Sequence, residues 1–156
     1  DFDRIASIEM FEAVGEKYWP TFFSKLRQRL CPDGLAGLQI ITIADDNFEE
    51  YRGGPDFIQR YIFPGGMLPS PSALMGQFRD TQLELVDQHG FGLDYARTLA
   101  EWHQRFEAAW PDLEQQGIDE SFRRLWRYYL SYCETGFTNR TTDVVQLVLR
   151  PAADQS

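Results

Sequence analysis

Two apolar runs stand early in the chain, a short one from Ile5 to Ile8 and a longer one, "LQIITIA", from Leu38 to Ala44. Side chains alternate across a strand, so runs read as apolar on both faces predict central strands of a covered sheet. Between them Tyr18, Phe22, Leu26 and Leu30 recur every four residues, the repeat of an amphipathic helix with Pro20 in its first turn and "CPDG" as its stop. Strand, helix, strand in this order predicts a parallel crossover.

Further on, "SPSALMGQF" predicts a short helix from Ser72, and "QLELVDQ", Gln82 to Gln88, another strand. Tyr95, Leu99, Trp102, Phe106 and Ala109 step by four and three along one helical face. Phe122, Leu125, Trp126, Tyr129, Leu130 and Cys133 do the same, with Asp119 as N-cap and Gly136 as stop. "DVVQLVL", Asp143 to Leu149, closes the pattern as a strand. The sum is an α/β sheet of four strands with helices on both faces. Ligands of such open sheets sit beyond the carboxyl ends of the strands. The stretches expected there are "EMFEAVG", "DDNFEEYRGG" and "HGFGLDY".

One segment breaks the polar–apolar rhythm. No Asp, Glu, Lys or Arg occurs from Tyr61 through Phe78, a span as long as a minimal membrane helix. Pro64, Pro69 and Pro71 with Gly65, Gly66 and Gly76 exclude a straight spanning helix. Buried turns of a core and the wall of an apolar ligand channel are the two readings.

Composition narrows the partners. With 156 residues, 43% of them hydrophobic and 15% aromatic, the chain has material for one domain with a core. Its 15 basic and 24 acidic residues give a net charge of -9, which argues against nucleic acid and advertises no attraction to anionic lipid. The two cysteines, Cys31 and Cys133, form no CxxC, and no secretory leader is evident, so a cytoplasmic protein is expected. The chain does not begin with Met and opens almost at once on a strand, which reads as a piece of a longer protein. The first strand would then lack an edge partner, so self-association of the fragment is expected.

The residues exclude several chemistries. His89 and His103 lie far apart and predict no zinc site, and no GxSxG, GxxxxGK[ST] or GxGxxG occurs. Glu12 stands out as an ionisable side chain between Met10, Phe11, Ala13 and Val14 at the mouth of a strand. It either caps the next helix or serves a site. Tyr95, first on its helical stripe, is either core or a hydroxyl in a cleft. Trp102 and Phe106 read as packing, Cys133 as core, and His89 as a hydrogen-bonding loop residue.

Taken together, "FDRIASIEMFEAVG", "DFIQRYIFPGGMLPS", "DYARTLAEWHQRFEAAW" and "FRRLWRYYLSYCETGF" resemble the cyclopropane-fatty-acyl-phospholipid synthase family, which includes the mycolic acid cyclopropane synthases. The likeness runs over nearly the whole chain in the correct order. It implies the C-terminal half of a Rossmann-like class I methyltransferase, strands four to seven, with the last strand antiparallel and inserted beside the fifth. The cofactor implied is S-adenosylmethionine, and the substrate an unsaturated phospholipid acyl chain. The sulfonium methyl goes to a cis double bond, and loss of a proton closes a cyclopropane. A methyl-branched product is the alternative, as is a non-catalytic folding or interaction role for the fragment, which is expected to be inactive alone. Peripheral membrane contact of the full-length enzyme also follows.

The resemblance places its residues one by one. The glutamate of the family's "MFEHVG" corresponds to Glu12 and the tyrosine of "YxxTLxxW" to Tyr95, both catalytic. Ile8 falls to the cofactor, and Ile41, Ile43, Trp102 and Phe63 to the acyl chain. In the family a bicarbonate takes the proton, held by that glutamate, that tyrosine, a histidine, main-chain groups and a cysteine from the preceding half. Here the histidine's "HTI" is "ITI", with Ile41 in its place, and Ala13 replaces a common histidine beside Glu12. These departures leave bicarbonate, and ring closure with it, open.

Overall fold

The structure, a computed structural model, describes residues 1–153. The chain divides into two compact units, one of Asp1–Gly90 with the segment from Asp143 onward, the other Phe91–Thr142.

The first unit is built on a four-stranded sheet of β1 (Phe2–Ile8), β2 (Leu30–Ile43), β3 (Leu83–Gly90) and β4 (Thr142–Pro151) in the order β1-β2-β4-β3. β1 and β2 are parallel, whereas β3 and β4 are antiparallel. The last strand therefore sits inside the sheet beside β2, as the family resemblance implies, and β1 forms an edge. Four helices accompany it: α1 (Trp19–Arg29), α2 (Asp45–Arg52), α3 (Phe57–Tyr61) and α4 (Pro71–Asp80).

Leu26 and Leu30 of the expected stripe are buried, but the first half of α1 turns a different face inward. Trp19, Phe23 and Leu26 are buried, while Tyr18 is exposed and Phe22 half-buried. Pro20 lies in the first turn and Tyr18 precedes the helix as its cap, so the buried stripe starts one residue later than the four-residue repeat suggested. Trp19, Phe22 and Phe23 close around Phe11, with ring centroids 5.4, 5.0 and 5.1 Å from it. Each such buried ring contributes about 1.5–3 kcal/mol relative to exposure.

"CPDG" does not separate α1 from β2. Leu30 already pairs with Phe2, and Leu35 with Arg4, so Cys31–Gly34 is an excursion within the strand opposite Asp3. A Cβ on Gly34 would sit 3.0 Å from the Cys31 carbonyl oxygen and 3.1 Å from that of Phe2, which explains the glycine.

The early runs are not covered on both faces within this unit. Ala36, Leu38, Ile40 and Thr42 of β2 are buried, but Gly37, Gln39 and Ile41 on the other face are exposed or half-buried. β1, an edge strand, is mostly exposed. "DDNFEEYRGG", just past β2, is mainly α2, its start favoured by Asp45 and Asp46 against the helix dipole. "HGFGLDY" is not a loop: His89 and Gly90 extend β3, and a helix begins at Gly92.

The second unit is a pair of helices, α5 (Gly92–Gln115) and α6 (Glu120–Thr138). Asp119 caps α6 by accepting the Phe122 N–H at 2.8 Å. Arg123 reaches Glu107 at 2.6 Å and lies over the Trp110 ring at 4.9 Å, tying the two helices. Gly136 does not stop α6, which runs on to Thr138. A Cβ there would meet the Thr142 hydroxyl at 2.9 Å, so the glycine permits a close approach; the stop falls at Asn139, before Arg140 with φ 59°.

Candidate active site at the carboxyl ends of β1 and β2

β1 ends at Ile8, and Glu9 takes a left-handed φ of 48°. Its N–H donates to the Gln39 carbonyl at 2.9 Å, and its carboxylate accepts the Gln39 side-chain amide at 2.6 Å. This reverses the chain into a 3-10 turn, Phe11–Ala13, anchored by the buried Phe11 ring. The anchor fixes the neighbouring Glu12.

Glu12 Oε1 accepts the Ile41 N–H at 2.6 Å. Its Oε2 is buried without a hydrogen-bond partner, and its carbonyl accepts the Met67 N–H at 2.9 Å. Burial raises the carboxyl pKa above its ordinary value; the Ile41 N–H and Glu12's own backbone oppose this, and the charge of Glu9 adds to it. Glu12 is thus no helix cap. It is a desolvated carboxylate with one oxygen tied and the other buried without a partner.

The structure brings Ile41 to Glu12 through its main chain, with its side chain half-buried. Ile43 is buried in the core and donates its N–H to the Pro69 carbonyl at 3.0 Å. Ile8 is 68% exposed and Phe63 58% exposed. Tyr95 and Trp102 belong to the second unit. Tyr95 is half-buried, edge-on to Phe91 and Phe137 at 5.8 and 5.4 Å, while Trp102 is 49% exposed rather than packed as expected.

Sequence reasoning missed the polar ladder beside Glu12. Gln146 donates to Gln39 at 3.0 Å, and Gln39 to Glu9, across the face of β2 that also carries Ile41. Gln39 is the one strongly polar side chain within "LQIITIA", and that interruption was the available signal. Just past the carboxyl end of β2, Asp45 accepts the Ser72 N–H at 3.1 Å, and its pKa is lowered chiefly by the Ser70 hydroxyl, a link that ties α2 to the start of α4. His89 lies in β3 opposite Gln146 rather than in a loop.

A groove of about 510 Å³ lies apart from Glu12, lined by Ile5, Val14, Tyr18, Phe22 and Leu26 among others. Among the described residues no group of three or more His, Cys, Asp or Glu could hold a metal, and no helix is long and apolar enough to cross a membrane.

The strand order and the antiparallel final strand define a class I methyltransferase fold, of which the chain forms about half. It aligns with a cyclopropane synthase of Mycobacterium tuberculosis at TM-score 0.84 and 29% identity, covering 94% of this chain and 54% of that one. A mycolic acid cyclopropane synthase complexed with SAH and CTAB gives 0.84, 28%, 94% and 54% for the same quantities. In sequence, the tuberculostearic acid methyltransferase of Mycobacterium tuberculosis is 40% identical over 95% of this chain and 35% of its own length. The cyclopropane-fatty-acyl-phospholipid synthase of Escherichia coli is 38% identical over 94% of this chain and 37% of its own length. The chain belongs to the mycolic acid cyclopropane synthetase family, which it matches over residues 1–147. It spans little more than a third of the length of these curated relatives.

Proposed function

We propose that the protein to which this chain belongs is an S-adenosylmethionine-dependent C-methyltransferase acting on the cis double bond of an unsaturated phospholipid acyl chain, and that it closes the product to a cyclopropane. The observation that carries this reading is Glu12, a buried carboxylate with one oxygen held by Ile41 N–H and the other unsatisfied, at the sheet end where such folds hold ligands. The relatives named for cyclopropane synthesis and fatty-acid methylation support it.

Bound S-adenosylmethionine would supply a methyl group on a cationic sulfonium. Ile8, an exposed apolar residue that the core does not use, and the Glu9 turn fit its border. Addition of the methyl to the double bond leaves a carbocation on the acyl chain. A methyl C–H bond then breaks, its electron pair closes the ring on the cationic carbon, and the proton passes to Glu12 Oε2. Tyr95 is assigned to the cation, which an aromatic face stabilises by about 2 kcal/mol in a dry site. Glu12 acts without bicarbonate, because Ile41 offers no side-chain donor to an anion. A second reading, release of a methyl or methylene product without ring closure, is favoured by that same side chain.

The isolated chain binds S-adenosylmethionine weakly or not at all, and it self-associates along the β1 edge. We further infer a cytoplasmic enzyme, peripheral at the membrane. The test supplies full-length enzyme with a cis-unsaturated phospholipid and labelled cofactor in bicarbonate-free buffer, with products identified by mass spectrometry. A labelled cyclopropane is expected, and a labelled methyl branch would select the second reading. No transfer at all to lipid would refute both.

A further inference from the structure

A polar row crosses the sheet beside the Glu12 turn. His89 of β3 stands opposite Gln146 of β4, and directly opposed residues present their side chains on one face. Gln146 donates to Gln39 of β2 at 3.0 Å, and Gln39 donates to the Glu9 carboxylate at 2.6 Å. The row thus ends on a carboxylate just past the end of β1. Ile41 lies two residues beyond Gln39, so both side chains leave the same face of β2, and the Ile41 N–H holds Glu12.

Glu9 occupies its place at a cost. A φ of 48° strains a side chain of this kind, whereas glycine would adopt it freely. Strain that neighbouring contacts hold in place points to a function for the group so held. The group here is a charge. Neither Ile41 nor Met67 brings a charge to Glu12, Asp33 is the only charged residue of β2, and α1, packed on Phe11, carries its charges from Lys25 onward. Glu16 is paired with Arg52 at 2.8 Å, Lys17 lies over the Tyr18 ring, and His89 stands at the far end of the row. The charge that acts on Glu12 is that of Glu9, and it adds to the effect of burial.

We propose that Gln39 is a positioning residue for ring closure: backed by Gln146, it fixes the Glu9 carboxylate as a second negative charge beside Glu12, so that the proton leaving the cationic intermediate is drawn to Glu12. The inference rests on the acyl-chain reading of the site. In that step a methyl C–H bond breaks, its electron pair closes the ring, and Glu12 Oε2 takes the proton. A like charge nearby makes Glu12 a stronger base, and it favours a cation at this end of the sheet. An unrestrained Glu9 side chain would turn toward water, where solvent weakens both effects. Its bond from Gln39 prevents that, and Gln146 in turn orients the Gln39 amide so that its NH₂ points to Glu9.

The test uses full-length enzyme, cis-unsaturated phospholipid and Gln39→Met, which keeps the length of the side chain and removes its donor. The acidic limb of the pH–turnover profile is expected to move down by about half a pH unit, because Glu12 then gives up its proton more readily. Plateau turnover is expected to fall at least about threefold with KM within about twofold. Glu9→Gln, which removes the charge itself, is expected to move the limb the same way. A merely structural row would lower the thermal midpoint and leave the limb in place. A folded Gln39→Met whose limb coincides with that of wild type overturns the proposal, whatever Glu9→Gln does; should Gln39→Met misfold, an unmoved limb in Glu9→Gln overturns it. If wild type transfers no methyl to lipid, the acyl-chain reading fails on its own. The row is then judged from the midpoint difference between Glu12→Gln and its parent, which must level off at lower pH in the Gln39→Met background than in wild type.

Discussion

The Glu12 carboxylate is held by the main-chain N–H of Ile41 at 2.6 Å, so a residue whose side chain offers no donor still supplies one through its backbone. Side-chain replacements at this position leave that bond in place.

Ile41→Val is therefore expected to retain turnover within about twofold and to cost about 0.5–1.5 kcal/mol or less in stability. Ile41→His is expected to keep the fold and to make turnover respond to added bicarbonate, since it restores a donor for an anion. Steady-state assays of the full-length enzyme with and without bicarbonate check both. Bicarbonate dependence already present in the unmodified enzyme would contradict the direct role given to Glu12.

Glu12→Gln removes the proton acceptor and little bulk. Turnover is expected to fall by about 10²–10⁴. Stability has a definite sign. The folded-state pKa of Glu12 is raised above the ordinary carboxylate value, so between the two values the folded state binds more protons than the unfolded one, and stability falls as pH rises through that window. The variant lacks this loss. Its thermal midpoint relative to wild type is expected to climb as pH passes from the ordinary value through the raised one and to level off above it. A difference that shrinks with rising pH would show that the carboxylate is not penalised by burial.

Tyr95→Phe keeps the ring against Phe91 and Phe137 and removes only the hydroxyl. A stability change within about 1 kcal/mol and turnover within about twofold are expected, since the aromatic face is kept, whereas Tyr95→Leu, which removes that face, is expected to lower turnover at least about tenfold. Full activity of Tyr95→Leu would return Tyr95 to a packing role.

Gly34→Ala tests the excursion inside β2. The added Cβ meets two main-chain carbonyl oxygens at 3.0 and 3.1 Å, and backbone yields poorly. Thermal or urea unfolding is expected to show a loss of about 1–3 kcal/mol.

Much of this architecture was legible because its signals are local. The parallel crossover from β1 to β2, the Asp119 cap and the amphipathic pair α5 and α6 follow from short-range spacing and capping chemistry. α2 escaped notice because Phe48 is its only buried residue, too sparse a stripe to set a period. "CPDG" and Gly136 look like stops in the sequence, since a glycine that permits close approach reads the same as one that makes a turn. Glu12 drew attention as a charge in apolar company, but its anchor could not be foreseen. An N–H from Ile41 and a ladder through Gln39 to Gln146 depend on which strands become neighbours.

The second unit leaves the sheet after Gly90 and returns at β4, and Gly90 pairs directly with Val145 in the β3–β4 ladder. A Cβ on Gly90 would sit only 2.7 Å from the Asp143 carboxylate, so the points of departure and return adjoin. An insertion whose two ends adjoin can be exchanged with little strain on the sheet. Recombination or point change within it can refit α5, which carries Tyr95 and Trp102, while the Glu12 turn, encoded far upstream, passes unaltered from one variant to the next.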